Sequence, residues 1–257
     1  MIIDERFLTD FSTELSSYCP QWRNGLIANQ YLHPCRLTRK YLPVSPEASV
    51  LDWGCGDGHF SFFLLNQGLN VTAYSFDEIG AISSLFSQRF KNKFCFTRCE
   101  SKDPTTLPFK EESFDVIFSV GVLEHVWETG GSELDSLKEI YRVLKPGGRV
   151  CVFHFPNRTS WIEMVNRVCV KTGLFKKYTH GRLYTKKQIE KMAADSGFSV
   201  LEQGLYNLFP RNFFRRCPKV LGNNFVIIRL FHLLESLLTV PLKLFSQNHF
   251  FILEKSL

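Results

Sequence analysis

The densest group of chemically useful residues follows the apolar run Ala48-Ser49-Val50-Leu51-Asp52-Trp53 and reads Gly54-Cys55-Gly56-Asp57-Gly58. Glycines at alternate positions after a buried strand permit a sharp turn. They also let the backbone approach a ligand with no Cβ in the way. The helix that must come next, His59 to Gln67, turns its unpaired N–H groups and positive end toward the same ligand. Asp52 stands two residues before the first glycine, where a carboxylate suits a cationic amino group better than a pyrophosphate. The G-x-G-x-G spacing also lacks the G-x-G-x-x-G pattern of the dinucleotide fingerprint. The competing role for Asp52 is to brace the turn.

Four more residues invite chemistry. His125, in Leu123-Glu124-His125, and His154, near the end of Arg149–Phe155, are candidate general bases because imidazole titrates near neutral pH; packing is the alternative for both. His180 and Tyr184 are candidates for lining a substrate pocket. The eight cysteines contain no C-x-x-C pair and no histidine partner at zinc spacing, so no metal site is expected and reduced thiols are the plain reading.

These groups need a frame to hold them. Strands are expected at 48–53, 69–74, 93–97, 114–120 and 149–155, with helices at 59–67, 78–90 and 133–144, the last stopped by Lys145-Pro146-Gly147-Gly148. Such alternation gives a parallel sheet covered on both faces. Residues up to about Tyr41 read as helical, broken at Pro20, Pro34 and Pro43. The opening residues carry early acids and no long apolar run, unlike a signal peptide. The composition, 44% hydrophobic and 22% charged, is that of a folded globular chain, with 25 phenylalanines to place.

The motifs together resemble class I S-adenosylmethionine (SAM)-dependent methyltransferases. VLDWGCGDGHF is similar to their first motif. LPFKEESFDVIFSVGVLEHV and LKEIYRVLKPGGRV resemble the small-molecule branch that includes the ubiquinone and menaquinone biosynthesis methyltransferases, the type 11 domain. The match spans 49–155, and 180–202 follows the family's last helix and strand more loosely. The resemblance implies a Rossmann-like, doubly wound, seven-stranded α/β sheet, mostly parallel with an antiparallel edge strand. Helical additions at both ends give a division into 1–45 (helical cap), 46–156 (SAM-binding core) and 157–257 (lid helices and final strands).

It also implies that Gly54, Cys55 and Gly56 pack on the methionine part of SAM, with Asp52 near its amino group. Asp103 would hydrogen-bond the adenine amine, and Phe76 would cover the ring. Ser119 and Val120 would end the fourth strand beneath the cofactor. One position departs from the pattern: the ribose-binding acid is replaced by Ser75, with Asp77 two residues on. S-adenosylhomocysteine (SAH) is the implied product. The N-P-P-Y and D-P-P-Y sequences that resemble N-methylating enzymes are absent, which leaves oxygen, carbon or other small-molecule acceptors open; within that class the expectation is O-methylation of a small apolar or lipid-linked acceptor.

Charge is uneven. Residues 151–257 hold 16 Lys and Arg against 6 Asp and Glu, the first 150 residues 15 against 19. A basic half points to an anionic partner, membrane surface or nucleic acid, or to nothing more than a solvated face. Phe225 to Phe245 is apolar except at Arg229, His232, Ser236, Thr239 and Lys243, which form one stripe on a helix. The expected roles of this helix are packing on the sheet or forming a lid, a dimer face, a pocket for a lipid-like acceptor, or a peripheral membrane contact by a cytoplasmic protein. Asn248–Glu254 reads as a last strand. An RNA or tRNA methyltransferase and a non-catalytic methyltransferase-like subunit are the rival functions.

Overall fold

A computed structural model describes residues 2–257 apart from 43, 44, 46, 101, 102 and 104, and for 211 and 212 the backbone alone. The expected break at Pro43 lies outside the described residues. The chain begins with helix α1 (Glu5–Leu15), the single turn α2 (Gly25–Ala28) and α3 (Leu32–Tyr41). Asp4 starts α1 by accepting hydrogen bonds from the Arg6 and Phe7 amides. Pro34 does not break the chain as expected. It sits in the first turn of α3, where the amide it lacks would have had no intrahelical partner.

Strand and helix then alternate as β1 (Ser49–Trp53), α4 (His59–Asn66), β2 (Asn70–Ser75), α5 (Ile82–Arg89), β3 (Phe94–Arg98), β4 (Phe114–Val120), α6 (Glu133–Val143) and β5 (Leu144–Pro156). They are followed by α7 (Trp161–Lys171), α8 (Lys186–Asp195), β6 (Phe198–Tyr206), α9 (Lys219–Gly222), α10 (Phe225–Leu242) and β7 (Asn248–Lys255). The Lys145–Gly148 turn is absorbed as a register shift. Phe114 pairs with Leu144, and pairing resumes at Val116 with Arg149.

The seven strands lie in the order β3-β2-β1-β4-β5-β7-β6. β1 to β5 are parallel, and β7 runs antiparallel to both β5 and β6. The antiparallel strand is therefore one place in from the edge, because β6 pairs along its outer side. Alternate residues of each strand feed two cores. Val50, Val116, Phe118, Phe153 and Phe250 pack under α1, α4 and α5 with most of the buried phenylalanines. Leu51, Ile117, Val152 and Phe251 pack under α6 and α8. Period-two burial on both faces is what a covered parallel sheet requires. The first 45 residues share the first of these cores, through Phe7, Phe11 and Trp22 against Phe62 and Phe63.

His249 on β7 is buried at 5% exposure with a ring nitrogen donating to the Tyr184 carbonyl at 3.2 Å. Burial outweighs that bond and holds its pKa down at about 4, against 6.5 for a free ring. Between those values the unfolded chain binds a proton that the folded chain refuses, so stability falls as pH drops. The expected loss from this group is about 3 kcal/mol between pH 6.5 and 4. Urea unfolding across that range should be flatter by this amount in His249→Gln than in the parent.

Candidate active site

The glycine turn is built as its sequence demands. The amides of Gly54 and Cys55 both donate to the Tyr74 carbonyl, at 2.7 and 3.0 Å, tying the end of β1 to β2. Gly54, Gly56 and Gly58 all have positive φ. A Cβ on Gly54 would stand 2.3 Å from Val122 Cγ2, whereas one on Gly56 would meet nothing within 4 Å. Gly54 therefore serves packing, and Gly56 borders open space. Gly58, at φ +75°, caps α4.

That space is a cleft of about 390 Å³ at the carboxyl ends of the strands. It lies where β1 and β4 run side by side while their helices leave in opposite directions, the switch point at which open α/β sheets bind ligands. One wall is Gly54, Cys55, Gly56, Asp57 and Asp77. The opposite wall is Val120, Gly121, Glu124, His125, His154 and His180. Gln21, Gln30 and Tyr31 close it from the N-terminal segment, and Thr179, Pro210, Gln247 and Asn248 from the other end. Residues so far apart in sequence carried no local signal of a shared site.

The expected residues divide accordingly. Asp52 is buried below the turn and accepts from Ser61 Oγ at 2.5 Å; burial pushes its carboxyl up to about 6 despite that bond. Ser119 is also wholly buried, one layer beneath the lining residue Val120. Ser75 is buried at the end of β2 and is not among the lining residues, whereas Asp77 is. Phe76 is exposed beyond the cleft. Asp103 lies on the surface, and bonds from Thr105 and Thr106 hold its carboxyl down at about 2.

Of the residues expected to meet substrate, three histidines converge and the tyrosine does not. Tyr184 is buried against Phe155, with ring centroids 4.1 Å apart, and its hydroxyl donates to Glu133. It is a core residue, because its segment bridges to Asn157 beside β5 and turns the ring inward. His154 stands at a register shift of β5 with φ +64°, a costly backbone for a non-glycine residue. Tyr206 Oη accepts from its amide at 2.8 Å and lies 3.0 Å from its Nδ1, which also takes a bond from Asn248 at 3.3 Å.

His125 Nδ1 lies 2.8 Å from Glu128, and His180 Nδ1 lies 2.7 Å from the buried Glu163 of α7. Glu124, which sequence reasoning placed only inside a motif, is 4% exposed, and burial pushes its carboxyl up to about 8. The cleft thus offers a polar wall with three imidazoles facing a glycine turn. That wall can hydrogen-bond an acceptor, while the turn can hold a cofactor.

Comparison with known proteins agrees with this geometry. Residues 51–152 match the family model described as a methyltransferase domain. A sterol 4-C-methyltransferase of Caenorhabditis elegans is 28% identical over 174 residues, covering 66% of this chain and 49% of the relative. A chloroplastic 2-phytyl-1,4-beta-naphthoquinone methyltransferase of Arabidopsis thaliana is 28% identical over 173 residues, covering 58% and 64%. The chain thus spans less than two thirds of either relative. The crystal structure of a methyltransferase from Methanosarcina mazei superposes with a TM-score of 0.58 at 18% identity over 86% of this chain and 97% of that one, a likeness of fold.

The two glycines should respond differently to alanine. Gly56→Ala costs about 1–2 kcal/mol of backbone strain and should melt only a few degrees lower while losing more than tenfold in SAH affinity. Gly54→Ala adds the clash with Val122 and should fall further in the same thermal melt.

Proposed function

The chain carries a SAM-dependent methyltransferase domain at residues 51–152, and from that premise we propose that it methylates an oxygen of a small apolar, lipid-type acceptor at a membrane surface. The observation that carries this reading is α10, whose amphipathic order is inside out. Its polar stripe, His232, Ser236, Thr239 and Lys243, faces a hollow beside α3 and β6. Glu235 is buried and accepts from the Leu208 and Phe209 amides and from Asn29 at 2.7–3.2 Å. Val226, Leu230, Leu233, Leu234, Leu237 and Val240 point away from the protein.

Phe225–Phe245 is long and apolar enough to cross a bilayer, with a mean hydropathy of 1.8. Its buried carboxylate instead ties one side of the helix to the domain, an arrangement that suits lying in an interface. Arg229 on the helix, and Arg215, Arg216 and Lys219 shortly before it in the chain, are exposed and suit anionic headgroups. The surface also adjoins the cleft. Pro210 lines the cleft, while its neighbours Phe209 and Phe214 pack on Phe231 of α10. A lipid-borne acceptor would reach the methyl donor along this edge. The sterol and naphthoquinone named for the two relatives belong to the same chemical class.

The chemistry asks little of the protein. SAM supplies an activated methyl group, and alignment of the acceptor behind it provides much of the acceleration. The glycine turn would hold the methionine part above Asp52, with Asp77 offered to the ribose in place of Ser75 and Phe76 and Asp103 toward the adenine. The histidine wall would hold the acceptor hydroxyl and lead its proton to solvent along the cleft.

Calorimetric titration should give micromolar binding of SAM and SAH, about −8 kcal/mol, and labelled SAM should mark quinones or other lipid phenols. Label in RNA, or affinity without any product, would overturn the acceptor assignment. The protein should float with phosphatidylserine vesicles at low salt. Arg215→Ala with Arg216→Ala should weaken this about 30-fold, at about 1 kcal/mol per basic residue. No flotation together with a stable dimer would mean that a second copy covers α10.

A further inference from the structure

We infer that Glu124, His125 and His180 form a site for a divalent transition-metal ion of the zinc class on the acceptor wall of the cleft. One donor atom from each residue lies within 4.8 Å of the other two. The geometry goes beyond proximity in two respects. Both imidazoles are oriented by carboxylates through Nδ1, His125 by Glu128 at 2.8 Å and His180 by Glu163 at 2.7 Å. That bond fixes the proton on Nδ1 and leaves the Nε2 lone pair for a ligand, the carboxylate–histidine arrangement that supports metal-bound histidines.

The second respect is Glu124 itself. It is 4% exposed, yet its Oε2 has no hydrogen-bond partner. His125 Nε2 lies 3.9 Å from its Oε1. A buried carboxylate oxygen left without a partner is costly, and a cation beside it removes the cost. Two imidazoles and one carboxylate form a nitrogen–oxygen donor set of borderline softness, suited to zinc or a neighbouring divalent ion and poor for calcium or magnesium. Three protein ligands leave coordination positions open to the cleft, the pattern of catalytic rather than structural sites.

The local fold makes the cluster without strain. Leu123–Thr129 is a 3₁₀ segment begun by the His125 amide bonding to the Val122 carbonyl at 2.8 Å. His180 is delivered from 55 residues away by a loop that Asn166 of α7 holds through the Thr179 amide at 2.9 Å. For its chemistry the inference rests on the reading of the cleft as a methyltransferase site. A cation here would bind the acceptor oxygen and ease loss of its proton to water. The oxygen lone pair would then form the O–C bond as the methyl C–S bond of SAM breaks, leaving SAH.

The test uses the full chain, stripped with chelator and titrated with Zn²⁺ alone by calorimetry, with Co²⁺ as a visible-absorption stand-in. One ion per chain is expected, bound at least tenfold more weakly in Glu124→Gln and in His180→Gln. Glu163→Gln should lose 10–100-fold, as orienting partners do. His125→Gln carries the test if the Glu124 variant does not melt like the parent. Absence of binding, unchanged affinity in these variants, or a thiolate charge-transfer band with Co²⁺ would overturn the site. SAH titration of the metal-free protein separates the two readings, since its failure removes the methyltransferase site and leaves the metal result standing.

Discussion

The close approach of Gly54 to Val122 governs the shape of this molecule's cleft. β1 and β4 are neighbours in the sheet, and their carboxyl ends must both turn within a few ångströms of each other. Only a residue without Cβ fits at Gly54, since the added atom would overlap the Val122 side chain. Because the contact forms, the segment after β4 folds down into its 3₁₀ turn and carries Glu124 and His125 to the wall facing Gly56. A bulkier turn would push the two walls apart and separate the cofactor side from the acceptor side.

A second constraint acts on the acceptor side. β5 shifts register between Val152 and Phe155, and His154 takes a left-handed backbone that costs energy. Tyr206, from the edge strand, and Asn248, from the strand between, hold it there. The last two strands therefore do more than complete the sheet, for they fix His154, one of the four histidines that line the cleft. Likewise Glu163 of α7 and the loop behind it fix another. Rigid supports placed behind the lining residues are what an aligned transfer reaction requires.

The same C-terminal half also leaves an apolar face of α10 exposed. In α10 one of the two buried residues that anchor the helix is an acid, Glu235, satisfied by two backbone amides and Asn29. Burying a carboxylate is tolerated because its oxygens are hydrogen-bonded, and raised protonation is the residual sign of the cost. Ile228 seats the other end of the helix over Gly25, where a Cβ would clash at 2.4 Å. With Glu235 turned inward, the helix presents mainly leucines and valines outward, with Arg229 and Ser236 among them. That is why a contiguous part of its exposed face is apolar.

The amino-acid sequence by itself determined whatever depends on neighbours along the chain. The strand before Gly54, the helix after it and the stop at Gly147-Gly148 follow from runs of apolar residues and from the conformational freedom of glycine. The alternation of strands and helices led directly to the layered sheet. Tertiary structure decided what depends on orientation and long-range closure. Tyr184 had suitable chemistry at suitable spacing, yet it is stacked in the core, and the surface turn that presents Asp103 is set by Thr105 and Thr106. His180 meets Glu124 only because α7 holds its loop. The stripe on α10 was legible in sequence as a stripe. Which side faced the protein depended on Glu235 finding amides at Leu208 and Phe209, and a periodic pattern states the faces of a helix without stating which one is buried.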